Sequence, residues 1–327
     1  MRADLTLIID GNYILSKLVF TLHKHNMLYG GLHKALDTTI SNYRKLYPFK
    51  SAYMVSDSKE KSWRKDIIGT YKSNRKKDSD IDWAFVYQVY EEFKNTLVGL
   101  VVLEAPKTEG DDWISFLVEN ENTNGISTLI ISNDYDIKQL VTYSRSPLFI
   151  NIMSNEMYNK EKLFLPKNYQ IFINELSKLK NDDIFNLNDN NEFIQLLNRL
   201  IDRYEINEIN NIESLIVKII SGDTSDNISS VWSVTKNGKK RGIGDAGAKK
   251  VFSMYIEEFG EPSLSDPDIN ENIADLICEA KKISKSEIPS IVSNIERNFK
   301  LIDLNIKNIP DIIIEQMNNI FENGRTS

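Results

Sequence analysis

Leu5–Asn12 reads LTLIIDGN, an almost wholly apolar run closed by a carboxylate and a glycine. Such a run has no polar face, so it suits a strand buried on both sides, as in a parallel sheet. Working outward, Tyr13–Leu22 puts Ile14, Leu15, Leu18, Val19 and Leu22 at helical spacing, and Leu32–Leu46 repeats that pattern before Pro48. Ser51–Ser56, Gly99–Leu103 and Ser127–Ser132 read as three more short strands. Trp83–Leu97 and Asp111–Glu119 are helical patterns between them. This alternation predicts an α/β fold built on a parallel sheet with flanking helices.

Leu148–Met153 and Glu156–Leu163 are expected to form a late hairpin around Ser154-Asn155. Asn181–Asn211 shifts in composition, with nine Asn and seven acids against two Arg, and reads as an inserted, partly helical excursion. The C-terminal third predicts helices at Ile212–Ile220, Ala246–Phe259, Ile273–Ile283 and Ile288–Leu301. The expected division is an α/β domain over 1–210 and a helical region over 211–327.

With 327 residues, 41% hydrophobic and 27% charged, the chain has the composition of a globular protein of one or two domains. No apolar run reaches the length of a bilayer span, and no signal segment is expected at Met1. Cys278 stands alone, which excludes an internal disulfide and fits a reducing cytoplasm. Net charge is −7, yet Lys59–Lys77 holds eight Lys or Arg against two acids, and Lys236–Lys250 six against one. Local positive charge on an acidic chain is the footprint of a phosphate track; two solvated loops are the plainer reading.

Ligands of open parallel sheets gather beyond the carboxyl ends of the strands. The acids of this chain collect there: Asp10 after the first strand, Asp57 after the second, Glu109, Asp111 and Asp112 after the third, Asp134 and Asp136 after the fourth. Asp223 and Asp226 follow in SGDTSDN. Singly, each has a plain structural reading: Asp111 and Asp136 as helix N-caps, Asp223 and Asp226 as turn formers. Together they would repel one another unless cations neutralised them, and an all-oxygen set suits Mg²⁺ or Mn²⁺ rather than zinc. Two such ions can activate a water and stabilise a leaving oxygen on a phosphodiester with no Ser or Cys nucleophile.

The motifs LIIDGN, SDSKEKSWRKD, YKSNRKK, TEGDDWI, ISNDYDIKQL, SGDTSDN, RGIGDAGAKK and RNFKLIDL resemble, in order and approximate spacing along nearly the whole chain, those of the flap endonuclease and 5′-3′ exonuclease family. The phage ribonuclease H branch is the nearest in kind. The resemblance implies a PIN-like nuclease domain, with an arch or gateway at about 59–97 and the insertion at about 181–211. It implies a helix–turn–helix-like duplex-binding unit in the C-terminal region. It implies a first-metal set of Asp10, Asp57, Glu109, Asp111 and Asp134. A second set is Asp134, Asp136, Asp223 and Asp226, with Asp112 behind the ligands or at the helix start.

By the same resemblance Lys72 and Arg64 act on the scissile phosphate, with Arg75 and Lys76 beside them, while Tyr71 stacks on a base or simply packs. Gly242, Gly244 and Gly247 spell GxGxxG, but the string stands late and after a basic turn, not after the first strand as a dinucleotide site requires. The resemblance makes it a glycine turn gripping duplex phosphates, with K⁺ as a further ion and Lys239, Lys240, Arg241, Lys249 and Lys250 as contacts. His23, His25 and His33 lack a placed fourth ligand for zinc. The tryptophans read as packing residues, with Trp63 beside Arg64 the exception.

The implied activity is phosphodiester hydrolysis near the 5′ ends of branched or nicked duplex DNA and RNA–DNA hybrids, removing RNA primers in phage replication. A single-strand-binding protein or sliding clamp is an implied partner, and the host cytoplasm the implied place. A PIN-type single-strand ribonuclease is disfavoured by the glycine turn. A non-catalytic structure-specific DNA-binding protein is disfavoured by the carboxylates, and a haloacid-type phosphatase by Asn12 two residues after Asp10.

Overall fold

In the computed structural model, β1 (Leu5–Asp10) is the third strand of a sheet that has eight among the described residues, and the middle one of its five parallel strands. The other strands are β2 (Ser51–Val55), β3 (Val101–Leu103), β4 (Ser127–Ser132), β5 (Leu148–Asn151), β6 (Glu156–Asn159), β7 (Lys162–Phe164) and β8 (Asn207–Glu208). The order is β3-β2-β1-β4-β5-β6-β7-β8; the first five are mutually parallel and the last three antiparallel. The structure describes residues 5–46, 49–76, 78–142, 148–151, 156–159, 162–164, 207–208, 211–236 and 239–326. Most of the Asn181–Asn211 insertion therefore lies outside the described residues.

Side chains alternate across the central strands with the period of two that a pleat imposes. Leu7, Ile9, Met54, Leu129 and Ile131 face one buried cluster with α1 (Gly11–Lys24), α2 (Leu28–Leu46) and α4 (Trp83–Thr96). On the other side α5 (Gly110–Thr123) lies against β1, β2 and β4, and α10 (Asp311–Thr326) against β3. Helices on both faces explain why these strands are continuous apolar runs.

Contacts divide the chain into two units. The first is 1–61, 78–209 and 310–327; the second is 62–77 and 210–309. This differs from a single cut at 210. Ser62–Lys77, with the short α3 (Arg64–Ile67), belongs to the second unit, so the 59–97 stretch expected as one arch is shared between the two. The last helix, α10, belongs to the first. Its Ile313, Met317 and Phe321, four residues apart, are buried, and the Phe321 ring lies 5.7 Å from Tyr53 and 5.4 Å from Phe116. That spacing after Pro310 was a readable helix signal, although no helix is expected there above.

In the second unit α6 (Asn211–Ser221), α7 (Asp245–Phe259), α8 (Ile269–Lys281) and α9 (Ile288–Ile302) bury Ile219, Ile220, Val251, Ile277 and Ile295 in a common core that also takes Tyr71. Two local expectations are corrected. Glu156–Leu163 is not one strand: β6 and β7 pair antiparallel with Asn159 opposite Lys162. The basic segment before the glycines is a two-stranded hairpin, β9 (Ser233–Lys236) with β10 (Lys239–Gly242). The intervening Asn237-Gly238 is the strongest short-range hairpin signal a sequence carries. Among the described residues no helix is long and apolar enough to cross a membrane.

Candidate active site

Within the first unit, parallel pairing of β1 with β2 and β4 brings Asp10, Asp57 and Asp134 to one edge of the sheet. Asp10 caps α1: its Oδ1 accepts the Tyr13 N–H at 2.9 Å, and its Oδ2 accepts the Ser132 hydroxyl. The same Ser132 oxygen accepts the Asp134 N–H at 3.1 Å, linking the ends of β1 and β4. Asn12 does this for β1 and β2, its Oδ1 accepting from the Ser56 hydroxyl at 3.1 Å and the Asp57 N–H at 3.2 Å. Asp57 Oδ1 accepts the Gly110 N–H at 2.7 Å, which brings in α5. The sequence reading passed over Ser132 and Asn12 as orienting groups; each sits within two residues of a candidate ligand, the signal that could have found them.

Glu109 is buried at the start of α5 and Asp111 half-buried in its first turn. Asp112 is buried and accepts the Glu109 N–H at 2.8 Å, so it acts as a helix-start group. Asp134 Oδ1 accepts the Asp136 N–H at 2.8 Å. Capping falls to other residues than Asp111 and Asp136: Asp10 caps α1, Glu109 stands at the cap position of α5, and Asp134 accepts the N–H of Asp136, so capping and convergence coexist at Asp10 and Asp134.

Burial pushes the Asp10 carboxyl up to about 7; the hydrogen bonds from Ser132 and Tyr13 oppose this, and the charges of Asp57 and Asp134 add to it. A carboxylate raised in this way is one that a cation would restore to its charged form, and the donors around it are all oxygen. Among the described residues no three such side chains stand close enough together to hold an ion as they are. Asp57 and Asp134 are exposed.

The second unit carries the candidate phosphate contacts. Lys72 has its Nζ 5.0 Å from the Tyr71 ring centroid and 4.0 Å from Asp226 Oδ2. Arg75 and Lys76 are exposed. Arg64 departs from the expectation: it is 3% exposed, packs its guanidinium over Trp63 at 4.5 Å, and donates Nε–H to the Leu301 carbonyl at 3.2 Å. A desolvated guanidinium must find acceptors, and here a helix C-terminal carbonyl provides one. Trp63 and Tyr71 are both buried, which fits packing rather than base stacking.

In SGDTSDN, Asp223 accepts from the Ser225 N–H and hydroxyl at 2.8 and 2.6 Å and pairs with Lys218 at 2.8 Å. Burial alone would raise its carboxyl; Lys218 and Ser225 outweigh this and hold it below the usual range. Gly222 has φ +79°, and a Cβ there would meet the Ile228 carbonyl at 2.4 Å. Further along, Gly242 ends β10 and a Cβ there would lie 2.6 Å from that of Ser230, while Gly244 caps the N-terminus of α7. The glycine string therefore follows a small edge hairpin rather than a core strand. Arg241, Lys249 and Lys250 are exposed around that helix start.

Residues 5–170 match the family model of the 5′-3′ exonuclease N-terminal resolvase-like domain. The chain belongs to the 5′-3′ exonuclease family. Among curated members it is 32% identical to a 5′-3′ exonuclease of Aquifex aeolicus over 164 residues, 48% of this chain and 54% of that one. It is 34% identical to the ribonuclease H of Enterobacteria phage T4 over 101 residues, 29% and 33% of the two chains. The matches span about half the length of the Aquifex exonuclease and a third of the ribonuclease H.

Among solved structures, this family member resembles a phage T5 protein crystallised with metal ions at TM-score 0.59 and 17% identity, over 98% of this chain and 99% of that one. It resembles a T5 flap endonuclease complex with DNA and metal ions at 0.56 and 15%, over the same shares. These likenesses show the fold: the parallel sheet with flanking helices continued by a helical C-terminal region.

Proposed function

We propose that the chain is a divalent-metal-dependent 5′ nuclease with 5′-3′ exonuclease, flap endonuclease and ribonuclease H action. Its substrates are branched or nicked duplex DNA and RNA–DNA hybrids, and its role is RNA primer removal in phage replication. The observation that carries this is the convergence of Asp10, Asp57 and Asp134 at one sheet edge, with Asp10 raised by burial and by its acidic neighbours. Family membership supports the reaction class, the named relatives support the substrate classes, and a single-strand-binding protein or clamp is the partner class this role supplies.

Asp10, Asp57, Glu109, Asp111, Asp134 and Asp136 would hold Mg²⁺, with Mn²⁺ as substitute. Bound there, such ions lower the pKa of a water and stabilise the leaving oxygen. The chain's own groups do the rest. Ser132 and Asn12 fix the strand ends that present the carboxylates, and Gly110 orients Asp57. Lys72 contacts a substrate phosphate and stabilises its charge, with Arg75 and Lys76 beside it. Arg64 holds the α3 segment by its carbonyl bond and would have to exchange that acceptor to meet a phosphate. Lys239, Lys240, Arg241, Lys249 and Lys250, with the backbone at Gly242 and Gly244, grip duplex phosphates and offer a K⁺ position. Asp223 and Asp226, which the resemblance gives to a second ion, already face the chain's own cations Lys218, Lys72 and Arg75.

The test is cleavage of 5′-labelled flap, nicked and RNA–DNA substrates with Mg²⁺ or chelator. Asp134→Asn is expected to lose cleavage while still binding DNA. Substantial Mg²⁺-dependent cleavage by that variant would refute the assignment.

A further inference from the structure

We propose that Asp226 is a positioning residue for the cations of Tyr71–Arg75 and not a metal ligand; this rests on the reading that Lys72 contacts substrate phosphate. The observations lie wholly within the second unit. Asp226 Oδ1 is paired with the Arg75 guanidinium, and its Oδ2 accepts the Tyr71 hydroxyl at 3.0 Å with Lys72 Nζ at 4.0 Å. Its backbone is engaged as well: the Asp226 carbonyl accepts the Lys72 N–H at 2.9 Å.

The neighbouring residues complete the clasp. The Asn227 side-chain amide donates to the Thr70 carbonyl at 2.9 Å and the Ser73 hydroxyl at 3.0 Å, and the Asn74 amide donates to the Thr224 carbonyl at 2.6 Å. Every residue from Thr70 to Arg75 is thereby tied to Thr224–Asn227.

Two features give the clasp a purpose beyond stability. Lys72 and Asn227 both adopt left-handed backbone conformations, φ +54° and +58°, common enough for Asn but unusual for Lys. The Lys72 side chain lies against the Tyr71 ring with its ammonium partly shielded. A free lysine spreads over many rotamers, so one held by a carboxylate and a ring is organised before substrate arrives.

The same arrangement opposes metal. A divalent ion at Asp226 would have to displace Arg75 and then stand beside two protein cations in a partly buried place, where like charges repel strongly. Asp10 is the contrast: the charges that shift it are those of acids. The carboxylate at 226 answers the cations of its own chain, and the role it performs is to set where Lys72 and Arg75 stand.

The test reads Lys72 directly. Amine labelling of the full chain in chelator, quantified at Lys72 by peptide mass spectrometry, is expected to quicken about fivefold or more in Asp226→Asn. In the unaltered protein, millimolar Mg²⁺ should leave Lys72 labelling unchanged. An ion that binds Asp226 would release Lys72, so faster labelling on adding Mg²⁺ alone overturns the proposal and needs no variant. In cleavage assays Asp226→Asn should keep the Mg²⁺ midpoint within about twofold, and add little to the loss in Lys72→Ala. A midpoint raised about tenfold, with activity restored by excess Mg²⁺, makes Asp226 a ligand instead. Should Lys72→Ala cleave and bind DNA as the unaltered chain does, the phosphate reading falls, while the labelling result still decides what Asp226 holds.

Discussion

Replacing Asp10 by Asn should stabilise the first unit in chelator, by an amount that grows with pH. The Asp10 carboxyl has an ordinary pKa of 3.8 and stands at about 7 in the folded chain. A folded state that binds the proton more tightly than the unfolded one carries no penalty below 3.8. The penalty grows as pH rises from 3.8 toward 7 and is complete above 7. At about 1.4 kcal/mol per pH unit, the ceiling is ~4 kcal/mol above neutrality and ~1.5 kcal/mol at pH 5. Asparagine keeps the shape, and its Oδ1 can still accept the Tyr13 N–H.

The assay is thermal unfolding of both proteins in chelator from pH 5 to 8, with the difference between them isolating Asp10 from every other titrating group. The gain from Asp10→Asn should widen by ~2.5 kcal/mol over that range, about 5–10 °C in Tm. Mg²⁺ should then raise the Tm of the unaltered protein and do much less for the variant. A difference that stays flat between pH 5 and 8 would refute the claim that Asp10 is held above its ordinary pKa by burial among acids.

Neutralising Lys239, Lys240 and Arg241 together should weaken duplex binding at every sequence and flatten log Kd against log salt by about one unit per lost phosphate contact; an unchanged slope would make the hairpin a solvated edge. Phe321→Ala, which empties a site against Tyr53 and Phe116, should cost about 3–5 kcal/mol in urea unfolding, and a loss under ~1 kcal/mol would detach α10 from the first unit's core.

The strand-end carboxylates were legible because their cause is local. An apolar run with no polar face must be a buried strand, and a parallel sheet delivers whatever follows each strand to the same edge. LTLIIDGN and STLIISND therefore place Asp10 and Asp134 at strand ends from local sequence alone. The hairpin at Asn237-Gly238 and the helix after Pro310 are equally local in origin, and their signals lie in the sequence.

Sequence alone determined the α/β alternation, the helical C-terminal region and the carboxylates that follow β1, β2 and β4, because propensity and periodicity act over a few residues. Only tertiary structure decided which partners those charges meet. Nothing in SWRKD says that Arg64 will be buried on the Leu301 carbonyl. Nothing in YKSNR or SGDTSDN, about 150 residues apart, says that Asp226 will be enclosed by Tyr71, Lys72 and Arg75. A carboxylate's role depends on the charges packed around it, and packing between distant segments is a property of the folded chain.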